Sequence, residues 1–206
     1  MFNNKKERIY FTIFLFGYLF FLIWIILLKL TININYPNYI VSRGINLIPF
    51  NNFRKGLSLL AITKIWLTRG LMALLYLPAG LFTSVIIKKS FILRLFISSS
   101  ISLVFEILQW IFSIGISDIT DYLLALIGSF LGIVLFILIE KYSKKYTMNI
   151  INGFGITILS LGEIYLSVIM LLNYSKLLGS VILFFSILLV IFYVASTYLK
   201  KSKESL

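Results

Sequence analysis

The chain has 206 residues, 60% of them hydrophobic, and a mean hydropathy of +1.03, which excludes an ordinary soluble globular domain and points to a polytopic membrane protein. It has no Cys and no His, so disulfides, thiol nucleophiles, Ser-His-Asp triads and His-liganded metals are excluded, and neither a metal nor a cofactor is expected. The net charge of +12 is read as a topology signal before nucleic acid is invoked, and no nucleic-acid partner is expected.

A bilayer core needs about 20 apolar residues per helix. Hydropathy predicts spans at 9–29, 65–87, 91–113, 119–139, 150–172 and 177–199. The expected fold class is all-α, with about six transmembrane helices and an interfacial or re-entrant segment after the first. The first run follows Lys5, Lys6 and Arg8, but it is too long for a signal peptide and lacks a small-residue cleavage site, so it reads as a retained helix. With six spans, these residues share one face with Lys88, Lys89 and Arg94, with Lys141, Lys144 and Lys145, and with Lys200, Lys201 and Lys203. By the positive-inside rule that face, with both termini, is cytoplasmic.

Helix 1 is aromatic and almost featureless, as for a lipid-facing helix. Residues 31–64 follow on the outer side, with Pro37, Pro49, Arg43, Arg54, Lys55 and Lys64 among many apolar residues. That mixture predicts a segment lying in the interface or dipping back in, and Pro49 would interrupt a helix there. Its basic residues read either as lipid-headgroup contacts or, through Arg43, Arg54 and Arg69, as an anion site suited to phosphate or carboxylate. Helix 2 is expected to begin near Trp66, with Arg69 about one turn inside and Pro78 and Gly80 shaping a mid-span kink.

Helix 3 carries Ser99, Ser102, Glu106 and Gln109 at spacings of 3, 4 and 3, a polar stripe within an arc of about 80°. Helix 4 carries Asp118, Asp121, Ala125, Gly128 and Gly132 on a similar arc. A short turn makes the two antiparallel neighbours, which sets Glu106 opposite Ala125 and Gln109 nearer Asp121, with the small residues drawing helix 4 onto helix 3. Asp118 is expected at the outer surface as a helix cap, and Glu106 about 10 Å deeper. A buried carboxylate needs a partner, a proton or a cavity, which makes Glu106 a functional candidate. Glu163 is given no role, although a lone buried acid with Tyr165 nearby more often serves packing.

These residues resemble the VanZ-like family of bacterial membrane proteins across 43–132. "RGINLIPF" looks like the family's Arg-x-x-Asn-Leu-x-Pro-Phe segment, through Arg43, Asn46, Pro49 and Phe50. "LLYLPAG" matches its Phe-x-Pro-x-Gly segment through Pro78 and Gly80, and "FEILQ" its Glu-x-x-Gln through Glu106 and Gln109. "SDITDYLLALIGSFLG" is similar to its Asp-Ile-Asp-Asp…Asn…Gly…Gly run, through Asp118, Asp121, Gly128 and Gly132. Departures fall at Met72, Gly115, Thr120 and Ala125, where the family has Asn, Arg, Asp and Asn. The resemblance implies a four-helix core over 1–140, with 141–206 an added two-helix hairpin and basic tail. It also implies low-level resistance to teicoplanin-type glycopeptides, without an agreed reaction.

Three functions are carried forward. The first is a pocket of Arg43, Asn46, Arg69, Glu106, Gln109, Asp118 and Asp121 that faces outward and engages an envelope lipid or cell-wall precursor, with Arg69 as counter-ion of the acids. The second is a proton-linked transporter or flippase using Glu106. The third is an intramembrane hydrolase or transferase pairing Glu106 with Asp118, a reading disfavoured by their expected difference in depth. No conventional enzyme reaction is implied, and the oligomeric state is not legible.

Overall fold

The computed structural model describes residues 5–27, 44–51, 58–113 and 116–173. Arg43, Arg54, Lys55, Gly115 and the expected span at 177–199 lie outside them. The elements are α1 (Lys5–Leu22) with a π-turn (Ile23–Leu27), β1 (Gly44–Asn46), α2 (Leu59–Ile86), α3 (Phe91–Ile111), β2 (Ile116–Asp118), α4 (Ile119–Tyr142), a 3-10 turn (Lys144–Tyr146) and α5 (Thr147–Asn173). Among the described residues, α2, α3 and α4 are long and apolar enough to cross a membrane. The architecture is helical, with one addition that hydropathy did not predict, a parallel two-stranded ladder of β1 on β2.

The helix starts follow from side-chain caps. Ser58 Oγ accepts from Ala61 N at 3.3 Å and Ser90 Oγ from Leu93 N at 3.4 Å, each satisfying an amide that the first helical turn leaves open. Because Ser58 sets the start, α2 begins six residues before the expected 65. Arg69 is therefore ten residues beyond Leu59 rather than one turn inside.

The described chain divides into two compact units, one of residues 5–21 and 148–173, the other of 22–27, 44–51, 58–113 and 116–147. In the first, α1 and α5 run parallel: a Cβ at Gly17 would meet Leu159, one at Gly155 would meet Phe14, and one at Gly162 would meet Phe21. Asn152 Nδ2 donates to the Glu7 carbonyl at 3.4 Å. Helix 1 is thus not featureless. Phe11, Phe14 and Tyr18, at spacings of 3 and 4, form a buried face, while Ile9, Ile13, Phe16 and Phe20 are exposed. Because both faces are apolar, hydropathy could not separate them.

In the second unit α4 packs on α2 along a seam of glycines. A Cβ on Gly128 would collide with the Ala73 carbonyl oxygen, one on Gly132 with that of Leu77, and one on Gly80 with that of Ser129. From Gly128 against Ala73 to Gly132 against Leu77 the numbers rise together, so α2 and α4 are parallel. Helix α3 runs the other way, since Glu106 meets Asp118 while the Arg94 guanidinium lies 5.7 Å from the Phe136 ring centre. The expectation that Gly128 and Gly132 draw α4 onto α3 is corrected: the small stripe was legible, but its partner is α2. Helical spacing fixes a face and not which neighbour covers it.

Candidate functional site

The polar stripe of α3 is buried as the spacing predicts: Ser99, Ser102, Glu106 and Gln109 are each at most 6% exposed. Their partners differ from those expected. Glu106 Oε2 accepts from the backbone amide of Asp118 at 2.7 Å, a short hydrogen bond. Asp118 Oδ1 accepts from Thr120 N at 2.8 Å as the N-cap of α4, and Asp121 lies in the first turn. Three carboxylates thus gather at one helix N-terminus, where unsatisfied amides and the helix dipole favour negative charge.

This overturns the depth difference between Glu106 and Asp118. The chain leaves α3 at Ile111 and returns along itself as β2 before α4 starts, so the start of α4 lies beside Glu106. A hairpin folded about its midpoint cannot give that, because it assumes that the two helices end level. The partner the structure gives Gln109 is on another element: its Nε2 donates to the Ile26 carbonyl in the π-turn at 2.8 Å.

The "GINLIPF" stretch, residues 44–50, docks onto this helix start. Asn46 pairs with Asp118 in the parallel ladder, and its Oδ1 accepts from Ile48 N at 3.3 Å, turning the chain toward Pro49. Phe50 follows with φ 58°, a left-handed conformation that costs a non-glycine residue about 1–2 kcal/mol. Two contacts hold it there: its amide donates to Thr120 Oγ1 at 3.1 Å, and the Arg69 guanidinium lies 4.8 Å from the centre of its ring, within cation–π range. Thr120 departs from the motif's acid yet still supplies an acceptor oxygen, from a side chain only 1% exposed.

An open cleft of about 500 Å³ lies between the N-terminal parts of α2 and α4. Lys64, Thr68, Arg69 and Met72 line one wall, and Asp118, Thr120, Asp121 and Leu124 the other. Of the predicted pocket residues, Arg69, Asp118 and Asp121 line it directly, while Asn46 and Glu106 hold Asp118 from behind. Gln109 is turned to the π-turn, and Arg43 lies outside the described residues. The motif residues Gly80, Gly128 and Gly132 form the seam that closes the far end of the same helix pair, and Pro78 is buried within it.

Sequence reasoning missed two features. Lys64 and Thr68 join the cleft wall because α2 starts early; spacings of four from Lys64 through Thr68 to Met72 would have revealed that face had Ser58 been read as its cap. Tyr76, 1% exposed, neighbours Ser102 and is within electrostatic reach of Glu106 and Asp121. Its position seven residues after Arg69, on the same helix face, was the available signal. Among the described residues no group of His, Cys, Asp or Glu could hold a metal ion.

The fold and site define a class: helices of membrane-crossing length around a buried, carboxylate-capped helix start, with an Asn-x-x-Pro-Phe turn docked upon it. The VanZ/LLP1 family profile matches residues 14–140, a wider stretch than the motif run of 43–132. The chain is 34% identical over 153 residues to "Protein VanZ" of Enterococcus faecium, covering 72% of this chain and 87% of that protein. It belongs to the VanZ/LLP1 family. No solved structure matches it.

Proposed function

We propose that this chain is a multi-pass cell-membrane protein with both termini cytoplasmic, whose cleft between α2 and α4 faces outward. There it engages an envelope lipid or cell-wall precursor and lowers susceptibility to teicoplanin-type glycopeptides. The observation that carries the reading is the cleft itself, a cavity of about 500 Å³ with charged side chains on both walls, within the size range of small-molecule sites. Its orientation follows from charge: Lys88, Lys89, Arg94 and Lys141 lie at the opposite end of the same three helices, the end that the positive-inside rule assigns to the cytoplasm.

The paired-carboxylate hydrolase reading gains proximity but loses a free acid. Glu106 caps the Asp118 amide and is not among the residues lining the cleft. Binding is therefore the role proposed. A photo-crosslinking residue placed at Thr68, inside the cleft, and separately at exposed Leu74 on α2 tests it in cells. Adducts at position 68 should be enriched in one lipid or precursor class, whereas those at 74 should mirror the bulk membrane. Identical adduct profiles at the two positions would rule out a cleft ligand.

A further inference from the structure

We infer that residues 44–50 form a loop immersed in one lipid leaflet, with acyl chains as the partner of its exposed face. The inference needs α3 to cross the membrane and stands apart from what the cleft binds; that the leaflet is the outer one follows from the orientation proposed above. Depth is the first observation. Helix α3 has 21 residues, about 32 Å at 1.5 Å per residue, which matches a hydrocarbon core of about 30 Å. Its two ends therefore mark the boundaries of that core. Glu106 precedes the end of α3 at Ile111 by more than a turn, which places it about 8 Å inside the boundary. It accepts from the Asp118 amide, and Asp118 pairs with Asn46 in the ladder, where neighbouring strands lie about 5 Å apart. Asn46 thus comes close to the level of Glu106, below the last turn of α3.

Backbone chemistry is the second observation. Irregular backbone at membrane depth must have its hydrogen bonds satisfied within the protein. The Ile48 amide donates to Asn46 Oδ1, Pro49 has no amide hydrogen, and the Phe50 amide donates to Thr120 Oγ1. Three successive positions therefore present no open donor to lipid.

The surface of the loop is the third. Ile45, Leu47 and Ile48 are 61%, 72% and 63% exposed, and Ile116 on the paired strand is half-exposed. They lie at the same end of α3 as the exposed Ile107, Trp110, Ile111 and Phe112, and β2 packs against α3. Facing water, four large apolar side chains on so short a ladder would be an aggregation liability; facing acyl chains, they continue the lipid-contacting surface of the helix. No charged residue occurs from Gly44 to Phe53, and Arg43 and Arg54 stand at the two ends of that run, as suits a dip that returns to the head groups on both sides.

The test uses nitroxide labels, since the chain has no Cys and a single introduced thiol is labelled without ambiguity. Leu47→Cys and Ile48→Cys are read in the full chain, reconstituted into vesicles of phosphatidylethanolamine and phosphatidylglycerol. Ile107→Cys on α3 is the lipid reference, and Lys88→Cys, beyond the opposite end of α3, is the water reference. Relaxation of each label by oxygen, which concentrates in hydrocarbon, is compared with relaxation by a water-soluble nickel chelate. The oxygen-to-nickel ratio at 47 and 48 should match that at 107 and exceed that at 88. If either variant lowers the melting temperature, Ile45→Cys replaces it, with the same ratio expected. Nickel dominance at the loop positions, as at 88, would put the loop in water and overturn the inference. Shielding from both reagents would put protein over the loop, from a second copy or from elsewhere in this chain, and would overturn it too. If position 107 also reads as water, the membrane crossing of α3 fails and the inference falls with it.

Discussion

Gly128→Ala is the sharpest test of how α2 and α4 are joined. The added Cβ would collide with the Ala73 carbonyl oxygen and lie 3.1 Å from Tyr76 Cβ. The obstruction is backbone, so no rotamer change relieves it, and the helices must separate along a seam that also closes at Gly80 and Gly132. Overpacking of this kind costs about 1–3 kcal/mol, while replacing a helical Gly with Ala returns up to about 1 kcal/mol in propensity. A net loss of about 1–2 kcal/mol lowers the melting temperature by about 2–8 °C at this chain length. Gly70→Ala on the same α2 is the control, because nothing lies within 4 Å of its added Cβ; only the propensity gain operates there, and stability should be unchanged or rise by up to about 1 kcal/mol. Thermal unfolding of both variants in one detergent, followed by circular dichroism, reads the difference. If Gly128→Ala is tolerated as well as Gly70→Ala, the two helices do not meet at these glycines and the cleft at their start loses its frame.

The carboxylate cap gives a second expectation. Glu106→Ala leaves the Asp118 amide without its acceptor and should cost about 1–3 kcal/mol in denaturant unfolding, whereas Glu106→Gln keeps an acceptor oxygen and should cost less; equal costs would mean that the hydrogen bond contributes nothing. Thr120→Val removes the acceptor of the Phe50 amide at nearly constant shape, and hydrogen exchange at Phe50 should accelerate, whereas Thr120→Ser should leave it protected. Arg69→Gln and Asp121→Asn, combined in a double-mutant cycle on thermal stability, should show a coupling of at least about 0.5 kcal/mol because both line one cleft. Additive effects would remove Arg69 as the counter-ion of the acids.

What the sequence made legible was periodicity. The α3 stripe of Ser99, Ser102, Glu106 and Gln109 and the small stripe of α4 follow from spacings of three and four, and both are buried as those spacings require. Neighbour identity was not legible, because Gly128 and Gly132 look the same whether α2 or α3 covers them. Depth was misjudged for a related reason. Three extended residues, Ile116–Asp118, carry the chain back alongside α3, and their pairing is with Gly44–Asn46, some 70 residues earlier. No local pattern reports a ladder that short. The motif resemblance marked Asn46, Pro49 and Phe50 as important without giving a reason. The structure supplies it in the Asx turn, the left-handed Phe50 and the hydrogen bond to Thr120.

The central claim is that the cleft at the start of α2 and α4 is the working site of a VanZ-family membrane protein. Teicoplanin susceptibility tests it most directly, in a strain lacking this chain and complemented by wild type, Asp121→Asn or Lys64→Gln at equal membrane levels. Wild type should raise resistance, and both variants should lose most of that rise. Resistance that is restored equally by all three would contradict the cleft as the site, and no change with wild type at full membrane level would contradict the glycopeptide role.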